Sequence, residues 1–223
     1  MAKRKALMML GALAILIFPL LNVSHATLIN GDFSNGMSGW TTSGDVSIIE
    51  EAAGLGDYNY TYSYLYQPIA LSPLTYTIQF DFKNTLSNML SEDELSFYDS
   101  FYSSLYFVNN LSNFDLSTLH LQADDGIGLF DLDAGGAFNV NGVISASSKG
   151  QDWLHFSMNF YNAYNYVIPT FELYDFNFAD GDSKVFIDNV QINPVPEPAT
   201  FLLLASGLAG LGGFLRKRKK FLN

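Results

Sequence analysis

The sequence predicts an all-β fold, an antiparallel sandwich of about eight strands set between two apolar ends. Three observations predict it. Apolar and aromatic residues recur at period two through the middle of the 223-residue chain, and glycine, aspartate and asparagine turns separate these runs. Segments that are both basic and apolar are confined to residues 1–26 and 193–223.

The first strong strand signal is Asp57 to Tyr66, where Tyr58, Tyr60, Tyr62, Tyr64 and Tyr66 fall on one face of an extended chain. Tyr76, Ile78, Phe80 and Phe82 repeat the alternation, as do Leu154, Phe156, Met158 and Phe160. Shorter stretches at Val46 to Ile49, Leu119 to Gln122, Phe138 to Val143, Tyr166 to Tyr174 and Val185 to Ile192 add further strands. Ser91 to Asn110 is acidic and aromatic and reads as a short helix or a long loop. There is no internal repeat of fixed period, and Ile192 to Pro198 reads as a proline-bearing linker.

At the start, Lys3, Arg4 and Lys5 precede an apolar core from Ala6 to Leu21, with Ser24 and Ala26 before a cut after Ala26. This is the layout of a secretory signal peptide, with a retained anchor as its alternative; Pro19 favours cleavage. At the other end, Phe201 to Leu215 holds no charged residue and is followed by Arg216, Lys217, Arg218, Lys219 and Lys220. A helix of that length covers about 22 Å, short of a ~30 Å hydrocarbon core. Counting Ala199 and Thr200 and letting the cations snorkel makes residues 199–215 a thin transmembrane helix. The cations then point the C-terminus to the cytoplasm, and residues 27–192 face outward.

Charge narrows the partners of that outward segment. Between Thr27 and Asn193 only Lys83, Lys149 and Lys184 oppose twenty-one acidic residues, a net charge of −18. Such a surface excludes nucleic acid as a partner, because phosphates need lysine and arginine contacts. It suits divalent cations, and it equally serves solubility. With no cysteine in the chain, stability must come from the core alone.

Pro196-Glu197-Pro198, the short Gly/Leu-rich apolar segment and the basic terminus resemble the PEP-CTERM sorting signal of Gram-negative bacteria. The resemblance implies recognition by an exosortase, an integral-membrane cysteine protease that processes the tail on the way to the surface or extracellular matrix. Pro196, Glu197 and Pro198 would be substrate residues, and the stay in the inner membrane transient.

Within the exported segment, Leu28-Ile29-Asn30-Gly31-Asp32-Phe33, Gly39-Trp40, Leu65-Tyr66-Gln67, Tyr76 to Asp81 and Phe186-Ile187-Asp188-Asn189-Val190 are similar to landmarks of galactose-binding-like jelly rolls. That group includes carbohydrate-binding modules and many exported PEP-CTERM proteins. The resemblance implies an antiparallel jelly-roll β-sandwich whose two ends meet, joined by a structural calcium on Asp32 and Asp188. A turn hydrogen bond for Asp32 and a strand-edge position for Asp188 stay open as their other roles. Asp131 with Asp133, and Asp180 with Asp182, are weaker cation candidates, and neither cluster completes an EF-hand loop.

The tyrosine row has two readings, a face that stacks against sugar rings or ordinary cross-strand packing. Trp40, at the position of a core tryptophan in the jelly rolls, and Trp153 read as structural. Catalysis has little to rest on: no nucleophile elbow, zinc-binding His pair or phosphate loop is present. His120 and His155 read as packing or surface residues, and no spacing singles out a glycosidase pair such as Glu92 and Glu172. The expectation is an exported, non-enzymatic surface or matrix protein. A carbohydrate-binding module attaching to exopolysaccharide is the alternative, with a glycoside hydrolase behind both.

Overall fold

The computed structural model describes residues 28–56, 61–86, 98–116, 121–136, 138–176, 183–195 and 206. The signal-peptide residues, the sorting motif Pro196 to Pro198 and the basic terminus therefore lie outside the described residues. The chain divides into two units, Met1–Asn193 and Pro194–Asn223. Among the described residues no helix is long and apolar enough to cross a membrane.

The strands are β1 (Thr41–Ser43), β2 (Val46–Ile49), β3 (Ala52–Leu55), β4 (Tyr62–Tyr66), β5 (Ile69–Ala70), β6 (Thr75–Thr85) and β7 (Ser100–Val108). They continue with β8 (Asp125–Asp133), β9 (Phe138–Val140), β10 (Val143–Ala146), β11 (Leu154–Tyr161), β12 (Tyr166–Tyr174) and β13 (Lys184–Pro194). One sheet has the order β1-β4-β12-β7-β8-β9, with β5 also paired to β12; the other has the order β10-β11-β6-β13-β3-β2. The chain passes repeatedly from one sheet to the other, which makes this the antiparallel sandwich that the alternating pattern predicts and the jelly roll that the resemblance implies.

Between the sheets lies a phenylalanine core. Phe80 on β6 meets Phe156 of its own sheet at 5.0 Å and, edge-on, Phe171 of the opposite sheet at 4.9 Å between ring centroids. Phe130 on β8 reaches Phe82 at 4.8 Å and Phe101 at 5.2 Å. All of these rings are buried. Offset and edge-to-face pairs of this kind add about 0.5–1.5 kcal/mol each beyond the area they bury.

The two ends of the sandwich meet, as the jelly-roll resemblance implies. The Val190 N–H on β13 donates to the Gly31 carbonyl (2.9 Å). Gly31 is required there, because a Cβ would run into the Val190 carbonyl. Gln67, just past β4, holds the same segment to the first sheet: its Oε1 accepts from the Ile29 N–H (2.6 Å) and its Nε2 donates to the Ile29 carbonyl (2.9 Å). Trp40 packs between Phe33 and Phe171 and donates its ring N–H to the Asn30 carbonyl (3.1 Å). Pro169 sits inside β12 where the neighbouring strand changes from β4, paired at Thr170, to β5, paired at Val167. A proline is tolerated at such a break because no ladder bond asks for its missing N–H.

Three expectations need correction. The part of Ser91 to Asn110 that is described is not helix or loop but largely β7, flanked by β12 and β8. Aromatic residues on both faces hide its alternation, with Phe101, Leu105 and Phe107 inward and Tyr102 and Tyr106 outward. Phe138 to Val143 is not one strand: β9 belongs to the first sheet and β10 to the second, and Asn141-Gly142 is the crossing. A side chain at Gly142 would press on the Phe156 ring at 2.6 Å. Of Leu119 to Gln122, residues 119 and 120 lie outside the described residues, and Gln122 makes only an isolated bridge to Asp115.

Two stability measurements check this account. Phe80→Ala is expected to cost about 3–5 kcal/mol in denaturant unfolding, as a large buried ring is removed. The β2–β3 turn places Glu50 and Glu51 at φ 53° and 63°, a left-handed pair normally filled by Asn-Gly. Replacing them by Asn and Gly should raise the unfolding midpoint, and an unchanged or lower midpoint would show that the turn is not under this strain.

Candidate ligand face

On the first sheet β4, β12 and β7 lie side by side, and their registers align tyrosines across the outer surface. Tyr64 pairs with Glu172, which pairs with Tyr102; Tyr62 pairs with Tyr174; Tyr106 pairs with Ile168. The alternation that sends Leu65, Phe171, Leu173, Phe101 and Leu105 into the core sends these residues outward.

The rings form a connected layer. Tyr62 stacks on Tyr174 at 4.6 Å and meets Tyr64 at 5.2 Å, Tyr64 stacks on Tyr66 at 6.1 Å, and Tyr102 stands edge-on to Tyr174 at 5.7 Å. Phe114 caps one end against Tyr66 (5.0 Å) and Tyr106 (5.8 Å). It is delivered there by a 3-10 turn, Leu111–Asn113, in which the Asn110 side chain accepts from the Ser112 N–H. Exposure grows outward from the middle: Glu172 is 7% and Tyr64 8% exposed, whereas Tyr102 is 36% and Phe176 43% exposed.

Glu172 is the polar centre of this layer. Its Oε2 accepts from the Tyr62 hydroxyl at 2.6 Å and its Oε1 from the Tyr106 hydroxyl at 3.4 Å. Burial raises its pKa above the ordinary glutamate value, and the two tyrosine hydrogen bonds oppose that rise. Burial and the neighbouring Glu172 charge push the Tyr106 phenol up to about 12 and move Tyr62 and Tyr174 in the same direction. These phenols therefore remain neutral hydroxyl donors at physiological pH. Gly126, opposite Tyr106, leaves room for that ring, which a Cβ would approach to 3.1 Å.

The charges are divided between the sheets. Asp131 and Asp133 on β8 share the tyrosine face through their pairings with Tyr102 and Ser100. Among the described residues no lysine or arginine stands on this sheet; Lys83 and Lys184 lie on β6 and β13 of the other. Lys149 pairs with Asp188 of β13 and rests 4.5 Å above the Trp153 ring, which packs on Phe186. Nearby, His155 Nδ1 lies 2.9 Å from Asp81 Oδ1, and Asn189 Nδ2 donates to Asp81 Oδ2 at 2.7 Å. Burial alone would raise the Asp81 pKa, but hydrogen bonds from Asn189, His155 and Ser147 hold it below the usual carboxylate range.

The sequence-predicted residues are distributed unevenly over this geometry. Tyr62, Tyr64 and Tyr66 stand in the layer, while Tyr58 and Tyr60 lie outside the described residues. Asp32 accepts hydrogen bonds from the Ser34 N–H and hydroxyl, and Asp188 engages Lys149 and the Asn189 N–H. Among the described residues no group of three or more His, Asp or Glu side chains gathers to hold a metal. Glu92, His120, Asp180 and Asp182 lie outside the described residues. Sequence reasoning missed Tyr102, Tyr106, Phe114 and Tyr174 as members of the face. The tyrosine-serine-tyrosine alternation at Tyr102, Ser104 and Tyr106 was the signal that could have found two of them.

A buried carboxyl with a raised pKa favours folding in its protonated form. Its contribution is fully present below the unfolded pKa and is lost as pH rises through the folded one. Glu172→Gln, which keeps the shape without the charge, is expected to raise the melting temperature at neutral pH, with the difference shrinking in acid. A pH-independent difference would contradict this assignment.

Comparison with known proteins identifies the terminus. No curated protein sequence matches this chain. Among solved structures, TmCBM61 in complex with β-1,4-galactotriose matches with 15% identity and TM-score 0.45, covering 77% of this chain and 100% of that one. The Emp47p carbohydrate recognition domain matches with 12% identity and TM-score 0.46, covering 76% and 97%. The CBM22-1–GH10 modules of Clostridium thermocellum xylanase 10B, complexed with xylohexaose, match with 9% identity and TM-score 0.45, covering 79% and 30%. Residues 194–219 match the family described as the PEP-CTERM protein-sorting motif, and the chain thus carries that sorting motif at its C-terminal end.

Proposed function

We propose that this chain is an exported surface or matrix protein, delivered by its signal peptide and processed by an exosortase at the C-terminal motif. Its sandwich domain binds polysaccharide on the tyrosine face and performs no chemistry of its own. The observation that carries the binding reading is the layer of Tyr62, Tyr64, Tyr66, Tyr102, Tyr106 and Tyr174 around Glu172. Rings aligned across a sheet offer apolar faces to sugar rings, and neutral phenols offer hydroxyls to sugar hydroxyls. The sorting reading rests on the match over residues 194–219. During transit the tail would cross the inner membrane with its cations in the cytoplasm.

The carboxylates favour binding over hydrolysis. Asp131 stands across Tyr102 from Glu172, and the two strands that carry them are about two strand spacings or roughly 9.6 Å apart, wider than the separation of about 5–5.5 Å in a retaining glycosidase pair.

Pull-down on a panel of insoluble polysaccharides, including the host's own exopolysaccharide, tests the binding. Binding to at least one is expected, with Tyr64→Ala or Tyr102→Ala weakening it about tenfold, the scale of one lost aromatic contact; no binding across the panel would end the reading. Mass spectrometry of the surface-exposed protein tests the sorting. The mature chain should begin near Thr27 and lack the apolar tail, whereas an intact Phe201 to Asn223 on surface protein from a host with an exosortase would contradict exosortase processing.

A further inference from the structure

We infer that the ligand of the tyrosine face is a cationic glycan, a polymer containing free amino sugars, whose ammonium group is seated on Glu172 within the tyrosine layer. This rests on the carbohydrate-binding reading and names the class of sugar.

The first ground is Glu172 itself. A carboxylate that is 7% exposed ordinarily has a cationic partner. Among the described residues the ion pairs are Lys83 with Asp152, Lys149 with Asp188 and His155 with Asp81, and Glu172 is held only by the Tyr62 and Tyr106 hydroxyls. Among the described residues its protein environment is therefore two neutral phenol donors and a set of π-faces, with no cationic counter-charge.

The second ground is what surrounds it. Tyrosine rings carry a negative face that attracts ammonium groups, and an ammonium at a carboxylate among such rings gains from both. Tyr62, Tyr64, Tyr102 and Tyr174 supply the rings, and Asp131 and Asp133 add negative charge at the margin. The described lysines all belong to the other side of the sandwich, so nothing on this sheet offsets that potential. An anionic polymer such as a uronate would meet only like charge, from an exported segment with a net charge of −18. A divalent ion fits less well, since it needs six or more hard oxygens at once and no set of three acidic or His side chains gathers among the described residues.

Titration calorimetry on the full chain in detergent decides the matter, using glucosamine oligomers and N-acetylglucosamine oligomers of equal length at a pH where the free amine is protonated. The glucosamine oligomer is expected to bind about tenfold or more tightly than its acetylated counterpart. Its affinity should weaken with added salt, and Glu172→Gln should abolish most of the preference. The contrast between the two oligomers needs no variant, so it stands even if Glu172→Gln fails to fold, which a thermal melt reports. Equal or tighter binding of the acetylated oligomer, or a preference that survives Glu172→Gln in a folded protein, overturns the cationic assignment while leaving carbohydrate binding intact. Failure of both oligomers, with a neutral polysaccharide of the panel bound, also overturns it alone; failure of every glycan removes the carbohydrate reading as well.

Discussion

Contact between the inward phenylalanines of the two sheets is the constraint on which everything else depends. The chain has no cysteine, so no disulfide can hold the sandwich together. Phe80 and Phe82 from one sheet and Phe101, Phe130 and Phe171 from the other do that work by ring packing. Strand alternation then follows of necessity: once Leu65, Phe101 and Phe171 are fixed inward, Tyr64, Tyr102 and Glu172 must face out. The tyrosine face is thus the reverse side of the core, and a slip of one residue in β4 or β7 would destroy both together.

A second constraint closes the sandwich. Gly31 against Val190 and Gln67 against Ile29 tie the beginning of the segment to its end and to the first sheet, using backbone groups and one amide. These are the short landmarks that resemble the galactose-binding-like jelly rolls, and their role is structural: a glycine for close approach, a glutamine for two orphan backbone groups, a tryptophan for the core. Asp32 and Asp188 accompany them as a turn acceptor and as the partner of Lys149. Charge follows the same division, with Lys83 and Lys184 on one sheet, Lys149 paired to Asp188 of that sheet, and a buried carboxyl without a cationic partner among the described residues on the other.

How far the fold was legible depended on what each strand displays. β2 and β12 match their predicted bounds, and β6, β11 and β13, whose inward rows alternate with more exposed neighbours, extend theirs by one to a few residues. β3 was missed because Ala52-Ala53-Gly54-Leu55 is built of small residues and its turn, Glu50-Glu51, lacks the usual asparagine and glycine. β7 was missed for the opposite reason, aromatic residues on both faces that blur period two. The division of β9 from β10 depends on sheet membership, which no local pattern encodes.

By itself the sequence determined the all-β class, the tyrosine row, the acidity of the segment between the two apolar ends and the C-terminal sorting motif, because composition, alternation and short contiguous motifs are local properties. Only the tertiary structure decided that the row is joined by Tyr102, Tyr106 and Tyr174, and that Glu172 stands at its centre. Tyr62 and Glu172 are 110 positions apart and share a hydrogen bond. Their meeting is a consequence of strand order and register, which arise from packing the two sheets and not from either segment alone.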